Sequence, residues 1–196
     1  MADIKSFREI AMEKAASIGE ASEEERLKWK YVPEGEKLAA SCLNEGYDIK
    51  SKIDSYDKKV REFVLQGAEK VFISNINIPK NDYIKNNNEK AMNNLLFIKK
   101  DKNAVKEIFN QINYIFDHYN TQGKQQREQA YELLKSDFQN KIERALEKQL
   151  GTSTNLALNV ESLPQFQDEW RKTLSQFDSQ YNNYLNEYKE ALRNID

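Results

Sequence analysis

The sequence predicts an all-α protein, an elongated bundle of long amphipathic helices with an antiparallel helical hairpin in its C-terminal half. Three observations lead there. The chain of 196 residues holds only 6 Gly and 3 Pro, so few positions interrupt a helix, while good helix formers are abundant. Apolar residues recur at three- and four-residue spacing over most of the length. Ser/Glu pairs and glycines punctuate that pattern where helices should start and stop. Aromatics reach 11% and the apolar residues are periodic, which argues against disorder.

The first element is "SFREIAMEKAASIG". Ser6 and Glu9 have capping-box spacing, Phe7, Ile10, Ala11 and Ile18 form a loose stripe, and Gly19 is placed to end the helix. Ser22 and Glu25 repeat the device. The second helix runs through Leu27, Trp29 and Tyr31 toward Pro33, and a break or kink is expected near Tyr31–Val32 because proline lacks the N–H donor and crowds the preceding turn. A short helix then turns Leu38, Ala39, Cys42 and Leu43 inward and ends at Gly46.

From Asp48 the spacing of Ile49, Ile53, Tyr56, Val60, Phe63 or Val64, and Val71 predicts one long helix. Gly67 lies inside it, where alanine would be favoured by about 1 kcal/mol, and suits close approach of a neighbour. Phe72, Ile76 and Ile78 then fall on one side of a period-two pattern that points to extended chain before Pro79. A helix of about 20 residues follows Asn81, with Tyr83, Ile84, Met92, Leu95, Leu96 and Ile98 as its apolar members.

After the turn "KKDKN", Val105, Ile108, Phe109, Ile112, Ile115, Phe116 and Tyr119 form another stripe. "NTQGK" at Asn120–Lys124 either turns the chain or is a polar point within one longer helix, and the pattern leaves both open. Tyr131, Leu134, Phe138, Ile142, Leu146 and Leu150 carry the next helix to a stop at Gly151. The last helix shows the clearest spacing: Phe166, Trp170, Leu174, Phe177, Tyr181, Tyr184 or Leu185, Tyr188, Leu192 and Ile195. It would be about 48 Å long at 1.5 Å per residue.

Two such helices must each bury a stripe, so they should lie antiparallel, with Gly151–Ser162 as the tip of the hairpin. Ser162 reads as the N-cap, Pro164 sits in the first turn, and Gln165 completes an S-x-x-Q box. Leu156, Leu158 and Val160 alternate with Ala157 and Asn159, so 155–160 is a short extended segment that is free to pair with 72–78 or to stand alone. In domain terms, residues 1–79 form an N-terminal helical segment and 80–196 the long-helix hairpin region, together one continuous unit.

Several chemistries are missing from the pattern. One cysteine, Cys42, precludes an intrachain disulfide, and its small and apolar neighbours make it a buried hydrophobe rather than a reactive thiol. One histidine, His118, has Ile115 three residues before it, which excludes a paired Glu-x-x-His di-iron site, and one Cys with one His excludes a Cys/His zinc site. Asp101 begins like a calcium loop, but Val105, Lys106 and Ile112 occupy positions that need a ligand, a glycine and a glutamate. No phosphate-binding glycine motif or nucleophile elbow is present. His118 in "FDHYN" reads as a surface or interface residue. No stretch approaches the roughly 18 apolar residues of a membrane span, and no signal-peptide core opens the chain, so the cytoplasm is the expected compartment.

Net charge is −2, which gives no ground for bulk nucleic-acid binding. Residues 76–124 are locally basic, with eight lysines against five acids. Lys80, Lys85, Lys90, Lys99, Lys100 and Lys102 therefore define a basic patch, the basis for an alternative role in weak nucleic-acid or anionic-surface binding.

The stretch "IKSFREIAMEKA" and the terminal "PQFQDEWRKTLSQFDSQYNNYLNEYKEALRNI" resemble a family of bacterial helical proteins of unknown function, which open with an IKS..EIA.EK stretch and close in one long helix. The resemblance implies a cytoplasmic bacterial protein without recognised enzymatic motifs, and it transfers no site residue. The leading expectation is a non-enzymatic scaffold or adaptor acting by protein–protein contact, a homodimer, with no cofactor and no metal. Its expected interface is the aromatic stripe Trp170, Phe177, Tyr181, Tyr184 and Tyr188, since Trp and Tyr are favoured contact residues.

Overall fold

A computed structural model describes residues 22–150 and 159–195, with the side chains of Gln149 and Leu150 excepted. These residues are all-α, without strands: α1 Glu23–Glu45, α2 Lys50–Ile53, α3 Lys58–Asn75, α4 Asp82–Ile98, α5 Lys102–Asn120, α6 Gln122–Leu150, a 3-10 turn Val160–Ser162, and α7 Pro164–Arg193. The helix expected from Ser6 to Gly19 lies outside the described residues, as do Leu156 and Leu158 of the hairpin tip. Among the described residues no helix is long and apolar enough to cross a membrane. Two compact units divide between Phe72 and Ile73, within the last turn of α3, whereas the sequence pattern places a division after Pro79.

In the first unit, α1 begins with the expected capping box. The Glu25 amide donates to Ser22 Oγ at 3.2 Å, and the Ser22 amide donates to Glu25 Oε2 at 2.8 Å. The helix ends at Gly46 with φ 81°, a left-handed conformation that glycine adopts without steric cost. Between these caps α1 is continuous through Pro33, so the expected break at Tyr31–Val32 does not end the helix. Proline removes a single backbone bond, and packing immediately beyond it holds the helix together. There Gly35 of α1 meets α3 so closely that a Cβ on it would lie 1.9 Å from the Val64 carbonyl oxygen, and a Cβ on Gly67 would lie 2.0 Å from that of Val32. Each helix thus presents a glycine to the other's backbone. Ala39, Cys42, Val64, Ala68 and Phe72 are fully buried.

The long helix expected from Asp48 is in fact two, α2 and α3, separated by a turn. Side chains there compete with the backbone for its hydrogen bonds. Ser55 Oγ donates to the Lys52 carbonyl at 2.7 Å, Asp57 Oδ1 accepts the Lys58 amide at 3.1 Å, and Arg61 donates to the Tyr56 carbonyl at 3.2 Å. The extended reading of Phe72 is also corrected, because α3 stays helical to Asn75. Ile76 and Ile78 beyond it are buried in an irregular segment, not a strand.

In the second unit, Asn81 caps α4 by accepting the Ile84 amide at 2.9 Å, and Asp101 caps α5 by accepting the amides of Asn103 and Ala104 at 3.1 and 3.0 Å. The inward face of α4 carries Asn88, Ala91, Asn94 and Leu95, while Tyr83, expected in its apolar stripe, is exposed. The stripe of α5 is buried as expected at Val105, Phe109, Ile112, Ile115, Phe116 and Tyr119. The open question at Asn120–Lys124 resolves into two helices. Thr121 leaves helical geometry (φ −109°, ψ −89°), and its hydroxyl donates to the Asp117 carbonyl at 2.7 Å.

α7 packs on α5, α6 and the 3-10 turn. As its residue numbers rise, those of its partners fall: Phe166 meets Phe138, Trp170 meets Tyr131, Tyr181 meets His118 and Tyr119, and Ile195 receives Lys99. α7 is therefore antiparallel to both α5 and α6, the expected hairpin. Pro164 is in its first turn, but Ser162 does not cap it. The 3-10 turn directs the Ser162 hydroxyl back to the Asn159 carbonyl at 2.7 Å, so the S-x-x-Q box is not formed.

Candidate functional site

The hairpin divides the aromatic stripe of α7 between core and surface. Trp170 is half-buried with its ring 5.0 Å from that of Tyr131, edge to face. Phe177 is half-buried and Tyr181 is buried. Leu185 rather than Tyr184 takes the inward position, leaving Tyr184 59% exposed beside a half-buried Tyr188. Three of the five expected interface residues thus serve the chain's own packing.

Beside the stripe is a groove of about 490 Å³ between α5 and α7, lined also by Gln126 of α6. Its walls are Tyr114, Tyr184 and Tyr188, with Gln111 and Gln180 beside them. Its floor is His118 and Tyr181, whose Nδ1 and hydroxyl lie 2.8 Å apart. The rings of Tyr114, His118, Tyr181 and Tyr119 follow one another at centroid spacings of 6.4, 5.8 and 5.0 Å, so the floor is a continuous aromatic ladder. Gly123 lets α6 close over it, since a Cβ there would lie 2.3 Å from the Tyr181 hydroxyl.

Behind the floor is a charged anchor. The Tyr119 hydroxyl donates to Asp178 Oδ1 at 3.1 Å, and Lys80 Nζ lies 2.5 Å from Asp178 Oδ2. Arg127 stacks 4.0 Å over the Tyr119 ring and donates to its carbonyl at 3.1 Å. Burial holds the phenols of Tyr119 and Tyr181 above their ordinary pKa, so both remain neutral hydrogen-bonding groups.

Among the described residues, the groove lining carries no lysine, arginine, aspartate or glutamate. Among the described residues, no side-chain hydrogen bond within the protein occupies Tyr114, Tyr184, Tyr188, Gln111, Gln126 or Gln180. The sequence holds the corresponding signal. The chain is 32% charged, yet Ile108–Phe116 has no charged residue and Thr173–Asn186 has only Asp178, which faces Lys80 and Tyr119. Reading for apolar spacing alone passes over this absence of charge, and with it Tyr114, Gln111 and Gln180.

The six lysines of the basic patch differ in their surroundings. Lys80 pairs with Asp178, and Lys99 is buried, donating to the Ile195 carbonyl. Lys90 is half-buried, and Lys85, Lys100 and Lys102 are exposed. Cys42 is fully buried, with its thiol pushed up to about 11 chiefly by that burial. Among the described residues no three His, Cys, Asp or Glu side chains are grouped to hold a metal ion.

A family of unknown function, DUF6657, matches residues 50–194. The chain belongs to that family. The DUF6657 match takes in α2 through α7 and every residue of the groove, along with the terminal stretch "PQFQDEWRKTLSQF". The opening "IKSFREIAMEKA" lies before it. No curated protein and no solved structure matches the chain.

Proposed function

We propose that this DUF6657 protein is a non-enzymatic contact module, a helical scaffold that binds another polypeptide through the groove walled by Tyr114, Tyr184 and Tyr188. The observation that carries the reading is the pairing of exposed tyrosines with a groove lining free of charge, in a chain that is 32% charged overall. Protein interfaces differ from the rest of a surface in this way, by depletion of charged residues and enrichment of tyrosine. Tyrosine supplies a rigid ring and a hydroxyl at little entropic cost, while amide side chains adapt their hydrogen bonds to the partner. A phosphate-bearing ligand would need countercharge, which the groove lining does not offer.

The test is site-specific photo-crosslinking in the native cell, with the reactive side chain placed at Tyr114 or Tyr184 and, as controls, at the exposed Glu143 and Lys172. Discrete protein adducts from the two groove positions and none from the controls are expected. Equal labelling at all four positions, or none at Tyr114 and Tyr184, would overturn the reading.

A further inference from the structure

The groove and the side chains that project beside it lie on one surface, and we propose that its partner is a second copy of this chain, Tyr184 of each copy entering the groove of the other about a two-fold axis. The inference rests on the contact reading above and names the occupant.

Charge is the first argument. A charged patch repels its own copy, because identical surfaces bring like charges together. The residues lining this groove have none to oppose. Its polar groups, tyrosine hydroxyls and glutamine amides, each donate and accept hydrogen bonds, so identical groups can satisfy one another. A partner with a charged face would have to strip water from its ions here and find no counterion. A second copy brings the same uncharged lining.

Shape is the second argument. A two-fold interface uses the same patch twice, so it must hold both a projection and the recess that receives it. Tyr114 and Tyr184 are 69% and 59% exposed on the walls of the 490 Å³ groove. Gln180, one turn from Tyr184 on α7, lines the recess that the partner's tyrosine would fill.

Size is the third. The charge-poor stretch Thr173–Asn186 is about 21 Å long as helix, so the contact we propose is a short one. Such a dimer exchanges with monomer within an accessible concentration range.

The experiment is light scattering behind size exclusion on the full chain, from micromolar to near-millimolar concentration, for wild type, Tyr184→Lys and Gln180→Glu. Both positions are exposed, and circular dichroism with a thermal melt verifies that each variant is folded. The mass of wild type should rise from one chain to two with concentration, and each variant alone should stay a monomer. An equimolar mixture of the two variants should regain the dimer, since one half of the reciprocal contact gains an ion pair and the other half is native. A wild type that stays monomeric throughout, variants that dimerise like wild type, or a mixture that stays monomeric would each overturn the proposal. A monomeric wild type whose groove positions still crosslink to a different protein in the cell would sink only the second-copy inference. Absence of groove adducts would sink the contact reading itself.

Discussion

Asn88 of α4 makes both hydrogen bonds of the Asn77 backbone: its Oδ1 accepts the Asn77 amide at 2.8 Å and its Nδ2 donates to the Asn77 carbonyl at 2.6 Å. One side-chain amide thus does for Asn77 what a neighbouring strand would do. It lets Ile76 and Ile78 enter the core from a segment that is neither helix nor sheet. Asn88→Ala would strand a donor and an acceptor together, a loss expected at about 2 kcal/mol. Urea denaturation of the full chain reads it. Asn88→Asp should do worse at neutral pH than in acid, because an ionised carboxylate would face the Asn77 carbonyl.

The reciprocal glycines should be intolerant of a methyl group. Gly35→Ala or Gly67→Ala puts a Cβ within 2.0 Å of a backbone oxygen, which no rotamer change can relieve. Each is expected to cost at least about 2 kcal/mol as α1 and α3 are forced apart, although alanine is the better helix former. Gly123→Ala is the contrasting case. Its new methyl has its shortest clash with the end of the Tyr181 side chain rather than with backbone, so the phenol must shift for it to fit. That variant should stay folded but lose the His118–Tyr181 hydrogen bond, visible as a shift of the His118 imidazole resonances.

Some helix ends were legible from local chemistry. The Ser22 capping box and the glycine stop at Gly46 depend on residues a few positions apart, and both form as expected, whereas the Ser162 box does not. The stripe of α5 was equally plain because its period survives folding intact. Legibility failed where distant chain decides. Pro33 looked like a break because the Gly35–Gly67 crossing that holds α1 together is 32 residues apart in sequence. Asn88 drew no notice in the sequence because its partner is the Asn77 backbone, which leaves no mark in the pattern of side chains. The α7 stripe was read as one face, but a long helix rotates past two neighbours, and α5 and α6 take different residues of it. The groove was legible only as missing charge.

Cys42 should behave as part of the core. Its thiol titrates near 9.0 when unburied and is pushed up to about 11 in the fold, so the folded chain holds this proton more tightly than the unfolded chain. The contribution to stability is therefore fully present below about pH 9 and is lost as pH rises toward 11. Comparing denaturation of the wild type and Cys42→Ala across that window isolates the effect: the gap between them should change with pH above 9 and stay constant below it. At neutral pH a thiol reagent should label the native protein only as fast as the first unit opens.

Trp170 and Tyr184 belong to one expected stripe and should now separate cleanly. Trp170 closes an edge-to-face cluster in which Tyr131 also packs on Phe166, with centroids 5.5 Å apart, and Phe138 meets Phe166 at the same spacing. Removing its indole takes away packing between α6 and α7, so Trp170→Ala is expected to cost about 2–3 kcal/mol, below the value for a fully buried tryptophan because its ring is only half covered. Tyr184 is 59% exposed and has no hydrogen bond within the protein among the described residues, so Tyr184→Ala should leave stability within about 0.5 kcal/mol of wild type. Association should respond in the opposite order, with Tyr184→Ala weakening it and Trp170→Ala acting only through folding. Paired measurements of unfolding free energy and of mass against concentration check both. A Tyr184→Ala variant that unfolds like Trp170→Ala would return Tyr184 to the core and leave the groove without its wall.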